Sequence, residues 1–295
     1  MSLADAVVAG TAAPISLPRR RYRGAFGRQV RAELRLVFGR RRNLILLAAL
    51  GAIPLVIGIA VKVNPPQVGD GGGPQFLDRI TSNGLFLVLT ALFVTLNLFL
   101  PVVVGIIAAD AVSAEAQSGT LRYLLNVPVR RGRLLLVKVA GVATYALAAV
   151  TTICVVGGVA GAALFGTGSF TLLGGQSVSA GEGLVRVLGV ALYVWLSLAG
   201  LLAVGMLIST LTEVPMAAMA ATLGFAIVSL VLDSIPQLHS IHGALLSHYW
   251  QSFGTLVRIG PDLGQLGSHL LLQVAYVAVA GGLAWARFAD ADVTA

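Results

Sequence analysis

Six long runs without a charged residue constrain this chain more than any other feature of its sequence. They include residues 43–61, 80–109 and 139–181. A helix that crosses a bilayer needs about 20 consecutive, mostly apolar residues, so each run is long enough to span. Only 11% of the 295 residues are charged and 57% are hydrophobic, whereas a soluble domain has about 25% charged residues. The sequence therefore predicts an all-α integral membrane protein with six transmembrane helices.

The sequence predicts four parts of the chain, and one of them contains all six runs. The run 139–181 is too long for one helix, and we expect the third span to end at the Gly-Thr-Gly-Ser stretch at 166–169. The parts are a disordered cytoplasmic tail (1–21), an amphipathic interfacial helix (22–42), the six-helix transmembrane domain (43–287) and a second cytoplasmic tail (288–295). The predicted spans are about 43–62, 82–109, 139–165, 186–210, 214–233 and 263–287.

Basic residues are distributed unevenly between the two sides that six spans define. Ten of the 20 lysines and arginines precede Leu44, and five lie between Ser113 and Lys138. With Arg287 they make 16 on the side of the termini, against four on the other side. Because cytoplasmic loops are enriched in basic residues, we predict that both termini are cytoplasmic, in the plasma (cell inner) membrane. The charge would contact lipid, since no nucleic-acid-binding motif accompanies it.

An amphipathic pattern precedes the first span. Apolar residues recur at helical spacing up to Val37, and arginines occupy the other faces. Such a helix lies in the membrane interface with its arginines at the headgroups. A merely basic juxtamembrane tail is the alternative. The candidate residues of the interfacial helix are Phe26, Arg28, Val30, Arg31, Leu34 and Arg35.

The loop between the second and third spans has more structure than a connection needs. Gly119 can take the left-handed conformation that ends a helix, and Thr120 can cap the next one. Pro128 then stops that short helix. From the residues alone, a capped amphipathic helix and a plain basic connection both remain open. The candidate residues are Glu115, Gly119, Thr120, Leu121, Arg122, Leu124, Leu125, Pro128, Arg130 and Arg131.

This loop resembles the signature of the type-2 permease (membrane-spanning) subunits of ATP-binding cassette transporters. The resemblance rests on Glu115, Gly119-Thr120-Leu121, Leu124-Leu125, Pro128-Val129, Arg131, Leu134-Leu135 and Lys138. It extends along nearly the whole chain as an interfacial helix, six spans and a helical outer segment before the last span. The tail from Phe288 to Val293 matches in part, because Ala289 and Ala291 stand where basic residues are common.

The resemblance implies a cytoplasmic coupling helix that docks into a groove of an ATP-binding subunit. Gly119 and Pro128 would set its angles, and Arg122, Arg130 and Arg131 would face acidic or polar groups of that subunit. The implied complex has two ATPase copies and a second permease copy or a homologous permease. ATP and magnesium would be held by the ATPase, and the implied direction of transport is export from the cytoplasm.

The motifs of common enzyme sites are incomplete in this sequence. A phosphate-binding loop needs Gly-x-x-x-x-Gly-Lys followed by Ser or Thr, and the two lysines, Lys62 and Lys138, are each followed by Val. The stretch from Gly175 to Ser179 misses the Gly-x-Ser-x-Gly nucleophile motif at its last residue. We therefore predict that the chain is not an enzyme, has no catalytic residue and binds no cofactor of its own.

The stretch 234–262 separates the last two predicted spans. It is too polar to span, and we predict amphipathic helices at the outer interface with Tyr249 and Trp250 at headgroup level. His239, His242 and His248 lie in it, close in sequence to Asp233. A metal site needs several such groups to converge, so we interpret them as outer-surface polar residues and predict no metal site.

We expect no acid or base at mid-membrane in any span. Ion-driven transporters need buried ionisable groups, so this disfavours a self-powered carrier and indicates an apolar path. The leading hypothesis is the permease subunit of an ATP-driven exporter of a hydrophobic or amphipathic substrate. A membrane scaffold or assembly factor without transport activity is the main alternative, and an ATP-independent carrier is another.

Overall fold

The computed structural model describes residues 25–65, 80–81, 83–118, 131–168, 170–171, 176–258, 260 and 262–290. Helices dominate these residues, because each apolar run can satisfy its backbone polar groups in lipid only as a helix. The α-helices are α1 (Ala25–Gly39), α2 (Arg41–Val63), α3 (Leu85–Asn97), α4 (Phe99–Gln117), α5 (Arg131–Phe165), α6 (Ala180–Ser197), α7 (Ala199–Leu211), α8 (Pro215–Asp233), α9 (His239–His242) and α10 (Leu263–Asp290).

Within the described residues, six helical stretches are long and apolar enough to cross a membrane. The prediction of an all-α membrane protein with six apolar spans is confirmed. The spans are α2, the pair α3–α4, α5, the pair α6–α7, α8 and α10. In the first pair the long apolar stretch is α4 alone (Phe99–Gln117), and in the second it covers both helices (Gly181–Leu211). Helix α5 begins at Arg131 and α4 extends to Gln117, so both helices continue beyond the predicted span limits of 139 and 109.

The second span is broken at Leu98, between α3 and α4. Pro101 supplies the physical reason, because it has no N–H to donate to the carbonyl of Asn97 four residues earlier. The side-chain oxygen of Asn97 accepts a hydrogen bond from the side-chain amide of Gln251. The break therefore gives the segment before the last span a polar contact inside the bundle.

The fourth span is broken at Leu198, between α6 and α7. Two side chains bond the backbone groups beside this break. The indole Nε1 of Trp250 donates to the carbonyl of Ser197 at 3.1 Å, and the N–H of Gly200 donates to Oε1 of Gln273 at 2.8 Å. A buried backbone group without a partner is costly, so the side chains of Trp250 and Gln273 make the break tolerable.

Residues 234–258, which we call the return segment, are less helical than predicted. They form two 3-10 turns, Pro236–Leu238 and Trp250–Val257, around the single turn of α9. Trp250 is 1% exposed and lies in the bundle core, and its place at headgroup level stays a prediction. Its hydrogen bond to the α6–α7 break explains the burial. A two-stranded antiparallel ladder, Phe170–Thr171 with Ser177–Val178, adds a small sheet between α5 and α6.

Helix α5 packs close to the start of the second span. Gly84 and Gly161 meet there so closely that a Cβ built on Gly161 would lie 2.1 Å from the carbonyl oxygen of Gly84. The N–H of Gly84 also donates to the carbonyl of Gly166 at 3.1 Å. Gly166 has a positive φ of 80° and follows the end of α5. The glycines thus fix how α5 ends against α3.

Candidate functional site

Helix α1 lies along the end of the bundle at which α2 begins and α4 ends. Glu33 and Val37 are buried, at 8% and 9% exposure. The predicted arginines Arg28, Arg31 and Arg35 are all exposed. The buried face of α1 therefore includes an acid, a residue that the sequence interpretation left out. Of the predicted apolar residues, Val30 and Leu34 are half-buried and Phe26 is 44% exposed.

Lys138 is the centre of a buried set of charges. Its Nζ lies 3.1 Å from both carboxylate oxygens of Glu33 and also donates to Oε1 of Glu115. Lys138 is 4% exposed. These contacts join three elements, because Glu33 is on α1, Glu115 is near the end of α4, and Lys138 is near the start of α5.

Asp110, also on α4, pairs with two arginines that flank the junction of α1 and α2. Its Oδ2 accepts from Arg40 at 2.5 Å and from Arg42 at 2.6 Å. The Asp110 side chain is 8% exposed, whereas the arginine side chains are about half exposed. We call all six residues the ion-pair cluster: Glu33, Arg40, Arg42, Asp110, Glu115 and Lys138. Its three acids match its three bases.

The local sequence positions the cluster through close backbone contacts. Gly141 allows α1 to approach α5, because a Cβ there would lie 2.8 Å from Cγ of Glu33. Asn43 is 2% exposed and donates from Nδ2 to the carbonyl of Val37 at 2.7 Å. The hydroxyl of Tyr145 donates to the Asn43 carbonyl at 2.7 Å. These bonds fix the turn from α1 into α2 against α5.

The cluster surrounds a cavity of about 30 Å³ whose lining includes Glu33, Arg40, Asp110, Glu115 and Lys138. That volume has room for about two water molecules. Burial raises the pKa of Glu33 above its ordinary value, and the charge and hydrogen bond of Lys138 offset this only in part. The cluster is therefore a set of paired charges in which the charge of Glu33 is costly to bury.

Two of the ten predicted coupling residues, Glu115 and Arg131, belong to the described helices. Glu115 is in the ion-pair cluster, and Arg131 is the first residue of α5. Residues 119–130, with Gly119, Thr120, Leu121, Arg122, Leu124, Leu125, Pro128 and Arg130, lie outside the described residues, so the coupling helix stays a prediction. Lys138 and Glu115 pair across this stretch, which ties its two flanking helices together.

A second polar cluster lies between α10 and the α6–α7 break. His269 is fully buried, its Nε2 is 3.0 Å from the Ser197 hydroxyl, and its ring stacks on Tyr193 at 4.4 Å. The expectation of no acid or base at mid-membrane did not consider the buried Asp110 and Lys138 of the observed spans, or this histidine. Its signal was available, because a histidine within the apolar run 263–286 is an ionisable residue in a span. Glu33 carried a similar signal as the acid of an otherwise apolar and basic helix.

The helices and their ion pairs indicate the class of protein to which this chain belongs. The chain is a multi-pass helical membrane protein whose second and third spans are tied by buried ion pairs to an amphipathic helix outside the spans. A family model described as ABC-2 family transporter protein matches residues 39–229, from the start of α2 almost to the end of α8. The chain belongs to this family, as the resemblance in the loop predicted. No curated protein matches the chain.

Membership of the family sets the coarse function. The chain is a membrane permease of an ABC transporter, which is a transport component and not itself catalytic. Members of the family generally work with an ATP-binding cassette subunit.

Proposed function

We propose that the chain is the permease subunit of an ATP-driven exporter, and that the ion-pair cluster passes motion from a separate ATPase into the membrane. The observation that carries the proposal is the placement of Lys138, which joins the two helices flanking 119–130 to α1. A stroke delivered to 119–130 would reach α4, α5 and α1 together. The ATPase would hold ATP and magnesium and would be present in two copies.

Rigid connection is what this role requires. A buried ion pair whose desolvation is offset only by good geometry has few alternative arrangements, so the joined helices move as one body. Both acids that Lys138 contacts are themselves largely buried, at 10% and 14% side-chain exposure. The exposed arginines of α1 would lie at the headgroups of the inner leaflet, with both termini in the cytoplasm of the plasma membrane.

The composition of the spans supports a proposal for the substrate class. The buried surface of the spans is mostly apolar, and the buried His269 is enclosed by Ser197 and Tyr193. We therefore propose a hydrophobic or amphipathic substrate, which such a path would not have to desolvate. Transport of only a strongly anionic, hydrophilic solute would contradict this class while leaving the ATP-driven mechanism intact.

The first test is recovery of the partner. Tagged chain is extracted from its native membrane in mild detergent, and co-purifying proteins are identified by mass spectrometry. We expect an ATPase with a phosphate-binding loop in stoichiometric amount, together with a second permease copy or a homologue. Repeated recovery without an ATPase, from membranes in which other such complexes survive, would favour the scaffold alternative.

The second test compares two variants in the same preparation. Leu121→Asp changes the predicted docking face, whereas Arg35→Gln changes an exposed residue of α1 outside the cluster. We expect Leu121→Asp to insert normally and to retain less ATPase than the wild type, and Arg35→Gln to retain as much as the wild type. Equal retention of the ATPase by both variants would contradict the placement of the coupling helix in 119–130.

A further inference from the structure

Three side chains converge where the return segment folds back on α8, at the end of the bundle away from α1. Asp233 ends α8, His242 is on α9, and His248 precedes the second 3-10 turn. The Nδ1 atoms of His248 and His242 lie 2.7 Å and 3.9 Å from Oδ1 of Asp233. One ligand atom of each residue lies within 4.8 Å of the other two. The convergence that sequence spacing alone could not establish is present.

The tautomer of His242 is set by its second nitrogen. Nε2 lies 3.1 Å from the carbonyl oxygen of Ile235. A carbonyl can only accept, so Nε2 carries the proton, and in the neutral ring Nδ1, which lies 3.9 Å from Oδ1 of Asp233, has a lone pair that can bind a metal ion. Histidines that bind metals commonly donate their other N–H to a backbone carbonyl in this way.

The backbone around the three residues is held in place independently of them. Ser229, one turn before Asp233 on α8, accepts from the N–H of Ser247 at 3.1 Å, and the two hydroxyls are 2.9 Å apart. Both serines are buried, at 4% and 5% exposure. Asp233 lies one helical turn after Ser229, His248 directly follows Ser247, and both are partly exposed. The ligand atoms are therefore presented by a preorganised backbone, as a binding site requires.

We propose that Asp233, His242 and His248 bind a divalent transition-metal ion, and that the bound ion fixes the return segment to α8. Two imidazoles and one carboxylate suit Zn²⁺ and its neighbours, whereas Ca²⁺ and Mg²⁺ prefer oxygen ligands. This proposal does not depend on the transport function.

The observed spacing suits an ion of this size. Ligands at about 2.0–2.2 Å from a tetrahedral ion lie roughly 3.3–3.6 Å apart. The two distances to Asp233, 2.7 Å and 3.9 Å, lie on either side of that range. Binding would therefore require the side chains to rotate so that Oδ1 of Asp233 moves away from His248 and towards His242. Three protein ligands leave the fourth position for water or another small ligand.

Zn²⁺ alone is the probe, added to full-length chain in detergent after purification through a tag without histidine. We expect one ion per chain by calorimetry, a rise in Tm with Zn²⁺ but not with Mg²⁺, and the visible absorption of tetrahedral cobalt when Co²⁺ replaces Zn²⁺. Asp233→Asn, His242→Gln and His248→Gln should each weaken binding by at least about 10-fold, since losing even a partner of a ligand costs that much.

His239→Gln is the matched control, because His239 is exposed on the same short helix and offers no atom to the cluster. It should leave binding within about 2-fold of the wild type, well below the loss at a ligand. Wild-type chain that binds no Zn²⁺ would overturn the proposal. So would equal weakening by His239→Gln, which would indicate scattered surface coordination. Gel filtration of each variant establishes that lost binding is not lost folding; Asp233→Asn, which keeps a hydrogen-bond acceptor for His248, is the most conservative of the three.

Discussion

Lys138 neutralises two buried carboxylates, so we expect its substitution to destabilise the chain more than the substitution of either acid. Lys138→Met would remove the cation that the buried Glu33 and Glu115 share. We expect this change to lower the free energy of unfolding by about 3–5 kcal/mol, the usual result of removing one partner from a buried pair. Thermal unfolding of detergent-solubilised chain, followed by circular dichroism, measures the loss.

Glu33→Gln is the matched change on the other side of the same contact. It leaves Lys138 paired with Glu115 and removes the acid whose charge is costly to bury. We expect a loss below about 1 kcal/mol at neutral pH, because the desolvation penalty disappears together with the ion pair. Equal losses in the two variants would show that Lys138 does not bridge both acids.

The raised pKa of Glu33 also predicts a pH dependence. A carboxyl with a raised pKa binds its proton more tightly in the folded chain than in the unfolded chain, for which the ordinary value is 4.5. The protonated carboxyl of Glu33 therefore stabilises the folded chain fully below pH 4.5, and this stabilisation is lost as the pH rises through the pKa of Glu33 in the folded chain. Glu33→Gln resembles the protonated acid at every pH. We expect the Tm of the wild type to fall relative to that of Glu33→Gln as the pH rises from 4.5; a constant difference would contradict this.

At the scale of helices, the contact of Gly161 with Gly84 predicts a sharp difference between neighbouring glycines of α5. Gly161→Ala would place a Cβ 2.1 Å from a backbone oxygen, whereas the Cβ of Gly158→Ala would lie 4.0 Å from the nearest side chain. We expect Gly161→Ala to cost at least about 1–3 kcal/mol, as overpacking does. Gly158→Ala should be neutral or stabilising by up to about 1 kcal/mol. Thermal unfolding of both variants in one detergent tests the difference.

The break between α6 and α7 depends on Gln273 as an acceptor. Gln273→Met keeps the size of the side chain but leaves the buried N–H of Gly200 without its bond. We expect a loss of about 1–3 kcal/mol, the desolvation cost of an unpaired buried donor. Gln265→Met, at an exposed position of the same helix, is the control and should change stability little. An equal effect in both variants would show that the break needs no such partner.

The apolar runs were sufficient to predict the helices but not their breaks. Each span contains a long uncharged run, and that pattern alone selects a helix in lipid. Pro101 was a visible signal for the break at Leu98, whereas nothing around Leu198 indicates one. The partners of that break, Trp250 and Gln273, are distant in sequence. The same is true of Glu33 and Lys138, which meet only once α1 packs against α5.

At the scale of the whole molecule, we predict that changes in residues 119–130, next to the ion-pair cluster, uncouple ATP hydrolysis from transport. Replacing Gly119 and Leu121 with bulky polar residues should disturb docking of the ATPase without affecting the spans. In proteoliposomes that contain the complete complex, we expect ATP hydrolysis to continue while transport per ATP falls by about 5- to 150-fold, the range of typical coupling energies. Arg35→Gln in the same assay should retain both activities, because that side chain is exposed outside the cluster. Normal transport per ATP in the doubly substituted complex would place the coupling contact elsewhere in the chain.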